Sequence, residues 1–201
     1  LRSLLRSRPF WALMAVFLIG NGTFNGISTW IENIIAPRGF GAEEAGVLGG
    51  LLLLGAIVGA FILPVLSDKI HRRVPFLLLG LLGGIPGLIG LAFAHSYGVL
   101  IASVFSYGFF MVSTAPIGFQ YAAELTYPVP EGTSNGMLSL AGQASVVFIY
   151  AMEALKGTDG SFTYSLLVLI GFVVLGFILV TRLHEPGIAV PSVSPSAAQT
   201  D

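Results

Sequence analysis

The sequence predicts an all-α membrane protein with six transmembrane helices. Of its 201 residues, 55% are hydrophobic and only 9% are charged, which is far more apolar than a water-soluble domain needs to be. Six apolar stretches are each long enough to cross a hydrocarbon core about 30 Å thick. Most charged residues lie in short segments between these stretches, where a tight turn at the membrane surface keeps them in water.

The first helix is predicted over residues 10–31. The preceding residues 1–8 are interpreted as a basic cytoplasmic segment, and Pro9 falls in the first helical turn, where proline is tolerated. A secretory signal peptide is the alternative, but no small-residue cleavage site follows the apolar run and the helical pattern continues through Trp30. A start at Leu1 fits a chain cut from a longer protein better.

The second and third helices are predicted over residues 45–66 and 74–94. The third contains no charged residue. The second contains two G-x-x-x-G spacings, which let helices approach each other backbone to backbone. These spacings are Gly46/Gly50 and Gly55/Gly59.

The remaining helices are predicted over residues 97–122, 133–155 and 162–183. The fourth is unusually polar for a membrane span and contains Pro116, which can bend it. Residues 184–201 are rich in Pro, Ser and Ala and are expected to form a disordered cytoplasmic tail.

The distribution of cations predicts the orientation. Six spans put both chain ends on one side, and the opposite side holds only Arg38 and Lys156. Short loops rich in Lys and Arg stay in the cytoplasm, so both termini are predicted to be cytoplasmic in a multi-pass protein of the plasma membrane. The cations on the cytoplasmic side are Arg2, Arg6, Arg8, Lys69, Arg72, Arg73 and Arg182.

Polar side chains inside a bilayer are costly, and here they concentrate on the first, fourth and fifth helices. Asn21 and Gln143 each lie about halfway along their helices, near the bilayer midplane. The alternative is that such amides only tie helices together, for which measured contributions average about 0.6 kcal/mol. We predict a central substrate cavity formed by Asn21, Phe24, Asn25, Tyr107 and Gln143.

Other classes of function are excluded or weakly supported. The histidines His71, His95 and His184 lie in separate loops or ends, so no metal site, cofactor or catalytic triad is predicted, and an enzyme is not expected. The absence of cysteine excludes disulfides and thiolate ligands. No basic stripe suits nucleic acid. No Asp, Glu or His lies at midplane depth, so a proton relay is weakly supported.

The polar turn at residues 63–73 resembles a known loop signature. Residues 64–76 are similar to G-x-L-A-D-R-x-G-R-R-x-x-L, which major facilitator superfamily transporters carry after the second helix of each six-helix half. Lys69 keeps the charge of the first Arg, while Leu66, Asp68, Arg72 and Arg73 match their positions. An ordinary basic loop is the alternative. The residues that depart from Gly, Ala and Gly are Pro64, Ser67 and His71.

This resemblance implies half of a major facilitator fold, built as two inverted three-helix repeats, and transport by alternating access. It implies that Asp68 forms a cytoplasmic latch with Arg72 and Arg73. The residues assigned to gating or to the structural motif are Asp68, Lys69, Arg72, Arg73, Glu124 and Glu131.

Residues 124–143 resemble a narrower family. From Glu124 to Ser134 they match E-L-T-Y-P-x-x-E-G-[ST]-S, a pattern of the feline leukaemia virus subgroup C receptor-related transporters, which are associated with choline, ethanolamine and haem. Gln143 aligns with a glutamine of that family's substrate cavity. Phe24 and Asn25 stand where the family has aromatic residues, which weakens one wall of a cage for a quaternary ammonium.

The resemblance implies the C-terminal half of such a transporter, helices seven to twelve. Its partners would be a small-molecule substrate, the lipid bilayer and a missing N-terminal six-helix half. The solute would be choline-like or ethanolamine-like, or related to haem, and a bacterial-type relative with another small solute stays open. The alternative from a different class is a non-transporting receptor or assembly subunit built from a half-bundle.

Overall fold

The computed structural model describes residues 6–185 and confirms the all-α class. No strand occurs within that range. A short 3₁₀ turn, Ala36–Arg38, continues the first helix. The α-helices are α1 Arg8–Ile35, α2 Ala42–Ile70, α3 Val74–Phe93, α4 Tyr97–Thr126, α5 Glu131–Gln143, α6 Val146–Ala154 and α7 Thr163–Thr181.

These helices form six stretches that are long and apolar enough to cross a membrane, as predicted. The helices α1, α2 and α4 run past their predicted ends, because polar residues at the ends stay helical. In α2, for example, Glu43 and Glu44 lie in the first turn, where negative charge favours the helix dipole. Glu44 Oε2 accepts a hydrogen bond from the Gly41 N–H at 2.9 Å.

The fifth helix predicted over 133–155 corresponds to one membrane span, Glu131–Ala154, but this span is interrupted at Ala144 and Ser145, between α5 and α6. The N–H groups of Ser145 and Phe148 bond to carbonyls three residues back, at 3.1 and 2.9 Å. This is the tighter pattern of a 3₁₀ turn, which in the middle of a helix often marks a hinge. The interruption lies at mid-span, immediately after Gln143.

The packing of the helices follows a two-fold pattern. The central helices α1 and α4 contact each other; α2 packs on α4 as α5 and α6 pack on α1, and α3 packs on α4 as α7 packs on α1. If α1 is exchanged with α4, α2 with α5 and α6, and α3 with α7, each pair of helices in contact is therefore replaced by another pair that is also in contact. Because each repeat has three spans, the second repeat enters the membrane from the other side. The fold is thus two inverted three-helix repeats.

The contact between α2 and α4 is a backbone contact made by glycines. A Cβ atom on Gly55 or Gly59 would overlap the carbonyl oxygen of Phe105 or Phe109. The predicted close approach at Gly55 and Gly59 is therefore confirmed. A Cβ built on Gly46 or Gly50 meets open space, so the other predicted spacing, Gly46/Gly50, makes no close helix contact within the described chain.

We define the basic face as the membrane face that carries the loops 71–73 and 127–130 and the end of α7. On the opposite face, Arg38 caps the carboxyl end of α3. Its Nη1 donates to the Ala94 carbonyl at 2.9 Å, and its Nη2 donates to the Leu91 carbonyl at 2.6 Å. A cation that binds the last carbonyls of a helix stabilises it. This contact holds the loop after α1 against α3.

The predicted disorder of residues 184–201 is wrong for the first two of them. The His184 carbonyl accepts a hydrogen bond from the Tyr121 hydroxyl at 3.0 Å, and the Glu185 carboxylate caps α3. The rest of that prediction, from residue 186, lies outside the described residues, as does the part of the predicted basic segment that contains Arg2.

Candidate functional site

Two adjoining cavities lie along α1: a smaller one of about 230 Å³ between α1 and α4, and a larger one of about 370 Å³ between α1, α4 and α5. Both are lined by Phe17, Asn21 and Asn25 of α1 and by Ala115 of α4, and we call these four residues the shared wall. Residues four apart lie on one face of a helix, so α1 presents a single face to both cavities. The cavities are lined by the three spans that carry most of the intramembrane polar residues.

Four of the five predicted substrate residues line these cavities: Asn21 and Asn25 line both, Phe24 the smaller and Gln143 the larger. The structure does not bring Tyr107 to them. Its side chain is fully buried, and a Cβ atom on Gly87 of α3 would come within 2.7 Å of the Tyr107 Cβ. The side of α4 that carries Tyr107 thus packs on α3, and sequence alone did not show which polar side of α4 faces the cavity.

Asn21 lies at the midpoint of α1 and against the fifth span. Its Nδ2 donates to the Phe17 carbonyl at 3.0 Å. A Cβ atom on Gly142 would lie 3.0 Å from that same Nδ2, so a larger residue at position 142 would push the amide aside. The absence of a side chain at Gly142 lets the Asn21 amide pack directly beside the residue that precedes Gln143.

Asn25 connects α1 to the interruption in the fifth span. Its Nδ2 donates to the Ser145 Oγ at 3.0 Å. Asn25 is exposed, whereas Ser145 is only 1% exposed, so a buried hydroxyl holds an amide that lies at the cavity surface. Sequence reasoning missed Ser145, because the sequence of a single helix does not show which neighbouring helix a serine inside it contacts.

Aromatic rings complete the wall. The rings of Phe17 and Phe119 lie 4.8 Å apart between centroids and are inclined by 58°, an arrangement that aromatic pairs favour. None of the residues that line the two cavities has a charged or ionisable side chain. The site therefore offers amide groups, hydroxyls and ring faces, with no ion-pair partner.

A second cluster lies on the basic face around Arg73. Its Nη2 and Nε donate to Glu124 Oε1 at 2.9 and 3.1 Å, and its Nη1 donates to Asp68 Oδ1 and to Ser67 Oγ. These partners lie in the last turns of α4 and α2. We call Asp68, Arg73 and Glu124 the ion-pair cluster; it ties the ends of α2 and α4 to the start of α3.

The positive charge of Arg73 is stabilised by its carboxylate partners. Burial alone would lower the pKa of Arg73, but hydrogen bonds to Glu124 and Asp68 outweigh it and raise the pKa above its ordinary value. Arg73 is 7% exposed. Its two carboxylate partners compensate a cation that would otherwise be costly to bury.

Glu185 extends the cluster to the end of the described chain. Its carboxylate accepts hydrogen bonds from the backbone N–H groups of Arg73 and Val74 at 3.1 and 3.0 Å. An acidic group at a helix N-terminus satisfies free N–H groups and favours the helix dipole. Sequence reasoning missed this contact, because Glu185 was assigned to the disordered tail.

The predicted latch is only partly the arrangement observed. Asp68, Arg73 and Glu124 come together, but the exposed side chains of Lys69, Arg72 and Glu131 make no hydrogen bond or ion pair within residues 6–185. The part of Arg72 that joins the cluster is its backbone carbonyl, which accepts from Ser67 Oγ at 2.7 Å. The Arg72 residue itself is exposed.

Comparison with known proteins identifies similar sequences. The Major Facilitator Superfamily model matches residues 1–149 and 38–198. An uncharacterised protein of Archaeoglobus fulgidus is 32% identical over 182 residues, which cover 90% of this chain and 82% of that protein. The choline/ethanolamine transporter flvcr2b of Danio rerio is 30% identical over 88% of this chain, and FLVCR1 of Mus musculus, also named a choline/ethanolamine transporter, is 31% identical over 78%.

The chain covers only part of the two vertebrate relatives. It spans 37% of the Danio rerio protein and 29% of the Mus musculus protein. Most of each relative therefore lies outside the aligned region.

Proposed function

Because the chain belongs to the Major Facilitator Superfamily, we propose that it forms one six-helix half of a transporter that moves a small organic solute by alternating access. The chain is an integral, multi-pass membrane protein. One observation carries the proposal: the amides of Asn21 and Asn25, at mid-span, form the wall that two cavities share. Transporters of this kind bind their substrates near the midplane, between repeats.

The exposed side of this wall supports a second six-helix bundle as the partner. Asn25, Ser139 and Gln143 are exposed on the side formed by α1, α4 and α5, and hydrocarbon would leave their polar groups unsatisfied. A second bundle would enclose a water-filled space over them. The additional length of the vertebrate relatives is enough to supply it.

We propose an amino alcohol of the choline and ethanolamine type as the solute. The names of the zebrafish and mouse relatives support this class, and the chemistry of the wall is compatible with it. Ring faces such as Phe17 and Phe119 attract an ammonium group, and amides can bind a hydroxyl. Haem is less well supported, because no His or Cys lines the wall to bind its iron.

We propose that the ion-pair cluster, with Glu185, is a latch on the cytoplasmic side. Its hydrogen bonds join the ends of α2 and α4 and the start of α3 to Glu185, which follows α7. Alternating access requires the helix ends on one membrane face to separate or slide past each other. The cytoplasmic assignment rests on the cations of the basic face, Lys69, Arg72 and Arg182, against Arg38 and Lys156 on the opposite face.

A half-bundle subunit is the second candidate, and the archaeal relative favours it. The aligned region covers 82% of that protein, so that relative has little room for another six helices. Two such chains would then build the cavity together. The oligomeric state of the purified chain in detergent separates the candidates: a stable dimer supports a half-bundle subunit, and a monomer that binds solute only with an additional six-helix region supports the longer transporter.

The transport proposal is tested by uptake of labelled choline and ethanolamine into liposomes that contain the full-length protein. Gln143→Ala should reduce initial uptake roughly tenfold, the expected effect of losing one strong hydrogen bond, at an unchanged amount of protein in the membrane. Asn33→Ala is the matched control, because Asn33 is exposed at the end of α1 and outside both cavities. Normal uptake by the Gln143 variant would remove this residue from the site.

A further inference from the structure

The polar groups of the shared wall are held in one orientation. The Nδ2 of Asn21 donates to the Phe17 carbonyl and the Nδ2 of Asn25 donates to Ser145 Oγ, each at 3.0 Å. Each of these bonds uses one of the two N–H groups of its amide and fixes the direction of the amide oxygen, which can only accept hydrogen bonds. Within residues 6–185, no group donates to either Oδ1 atom.

A third oxygen on the opposite side of the smaller cavity has the same character. The Thr114 hydroxyl of α4 donates to the Met111 carbonyl at 2.6 Å, so its proton is already used and its lone pairs remain. Thr114 lines the cavity, and a Cβ atom on Gly20 of α1 would lie 4.0 Å from its Oγ1. Residues with an acceptor oxygen that no described group donates to therefore line the smaller cavity from both α1 and α4.

The wall contains no cation to offset these oxygens. No Lys, Arg or His lines either cavity, so an anionic solute would meet lone pairs without a compensating charge. A solute with N–H groups would satisfy oxygens that otherwise have only water, and a solute whose nitrogen is fully methylated would not.

We propose that this site selects solutes that donate hydrogen bonds through an ammonium N–H, and so prefers a primary amino alcohol to its N-methylated, quaternary counterpart. This inference rests on the proposed function. Asn25 Oδ1 is the principal acceptor. Ser145 is a positioning residue: it is buried at the interruption of the fifth span and acts on the solute only by fixing the direction of the Asn25 amide.

The test uses the full-length protein and a series with a constant hydroxyl: ethanolamine, its N-methyl and N,N-dimethyl derivatives, and choline. Each step removes one N–H donor. The apparent Kd of each compound is measured by competition binding. In the wild-type protein the Kd should rise along the series, by roughly tenfold from first to last, the effect of losing one well-placed hydrogen bond to a charged group.

Three variants assign the cause. Asn25→Leu should remove most of the rise, because leucine has similar size and no acceptor. Ser145→Ala should reduce the rise without touching the solute, and it decides the question if the leucine variant does not reach the membrane. Asn33→Leu is the matched control, with the same exchange at an exposed site outside both cavities, and it should keep the full rise.

The outcomes separate this inference from the proposed function. If wild-type protein binds the series with a flat or falling Kd, the preference for N–H donors is wrong while the amino alcohol site stands. If Asn25→Leu and Ser145→Ala both keep the full rise, Asn25 and Ser145 are not its source, and the site as assigned here is wrong. If no member of the series binds the wild-type protein, the proposed solute class and this inference are both wrong.

Discussion

His71 ends α2 in the left-handed region of backbone space, with φ 56° and ψ 36°. It is the only non-glycine residue with positive φ among residues 6–185. It also occupies the position where the loop signature has glycine, the residue that adopts this conformation without steric cost. At the scale of single residues, the departure from the signature therefore has a physical meaning: the chain keeps the shape of the turn and bears its strain.

His71→Gly should stabilise the protein by about 1 kcal/mol, because left-handed backbone costs roughly 1–2 kcal/mol for a residue with a Cβ and glycine loses somewhat more entropy on folding. The His71 side chain is exposed and makes no hydrogen bond in the described chain, so its loss removes little. Thermal unfolding in detergent measures the change. His71→Ala is the control that keeps the strain; an equal gain from alanine would show that strain is not the cause.

Arg73→Met should destabilise the basic face and slow transport, because two carboxylates lose their cation and a buried site is left without its hydrogen bonds. Hydrogen bonds to charged groups contribute about 1.5–3 kcal/mol each, and solvent at Asp68, which is 60% exposed, reduces this, so a loss of roughly 2 kcal/mol is expected. Arg72→Met is the matched control and should be near neutral. Equal effects of the two variants in unfolding and uptake assays would reject the cluster.

At the same scale, residue types in the sequence predicted four residues that line the cavities, but not the direction of their polar groups. Asn21, Phe24, Asn25 and Gln143 were found because amides are costly inside a bilayer. The orientation of Asn25 depends on Ser145, which is 120 residues away in the chain, and local periodicity carries no information on such a contact. Tyr107 lies outside both cavities, and because α4 is polar on more than one side, its sequence does not show which side faces them.

At the scale of elements, two features of the helices decide how the bundle is built: glycines that join α2 to α4, and the interruption between α5 and α6. The glycine spacing was readable from the sequence, because Gly55 and Gly59 are a known pattern of close approach. The interruption was not, since no proline occurs between residues 131 and 154. The hydrogen bonds of the fifth span therefore change at mid-depth without a helix-breaking residue that marks the place.

Gly59→Ala should destabilise the bundle by about 1–3 kcal/mol, because the new methyl would overlap the Phe109 carbonyl oxygen and overpacked sites cost this amount. Gly50→Ala is the matched control in the same helix. Its Cβ has open space around it, so this change should be neutral, or stabilising by up to about 1 kcal/mol through helix propensity. Thermal unfolding of both variants in detergent tests this difference; equal effects would contradict the glycine contact.

At the scale of the whole molecule, the inverted repeat places two central helices, α1 and α4, beside each other and leaves their polar sides open with that of α5. The outer sides of α2 and α7 instead carry exposed apolar side chains. Examples are Ile57 of α2 and Ile178 of α7, which are 57% and 48% exposed. The number of spans and the half-bundle architecture could be predicted from hydropathy and the loop signature. The contact pattern between non-consecutive helices could not, because it depends on long-range packing.

The most direct test of the account is whether the shared wall and Gln143 meet water in the membrane. Single cysteines are introduced into the full-length protein at Asn25, Gln143, Ile57 and Ile178, in a chain segment that has no native cysteine, and are exposed to a water-soluble thiol reagent, which reacts with the thiolate. We predict labelling at positions 25 and 143 that added solute slows, and no labelling at 57 and 178. Positions 25 and 143 that stay as unreactive as 57 and 178, in variants shown to be folded by their thermal unfolding in detergent, would contradict the central claim.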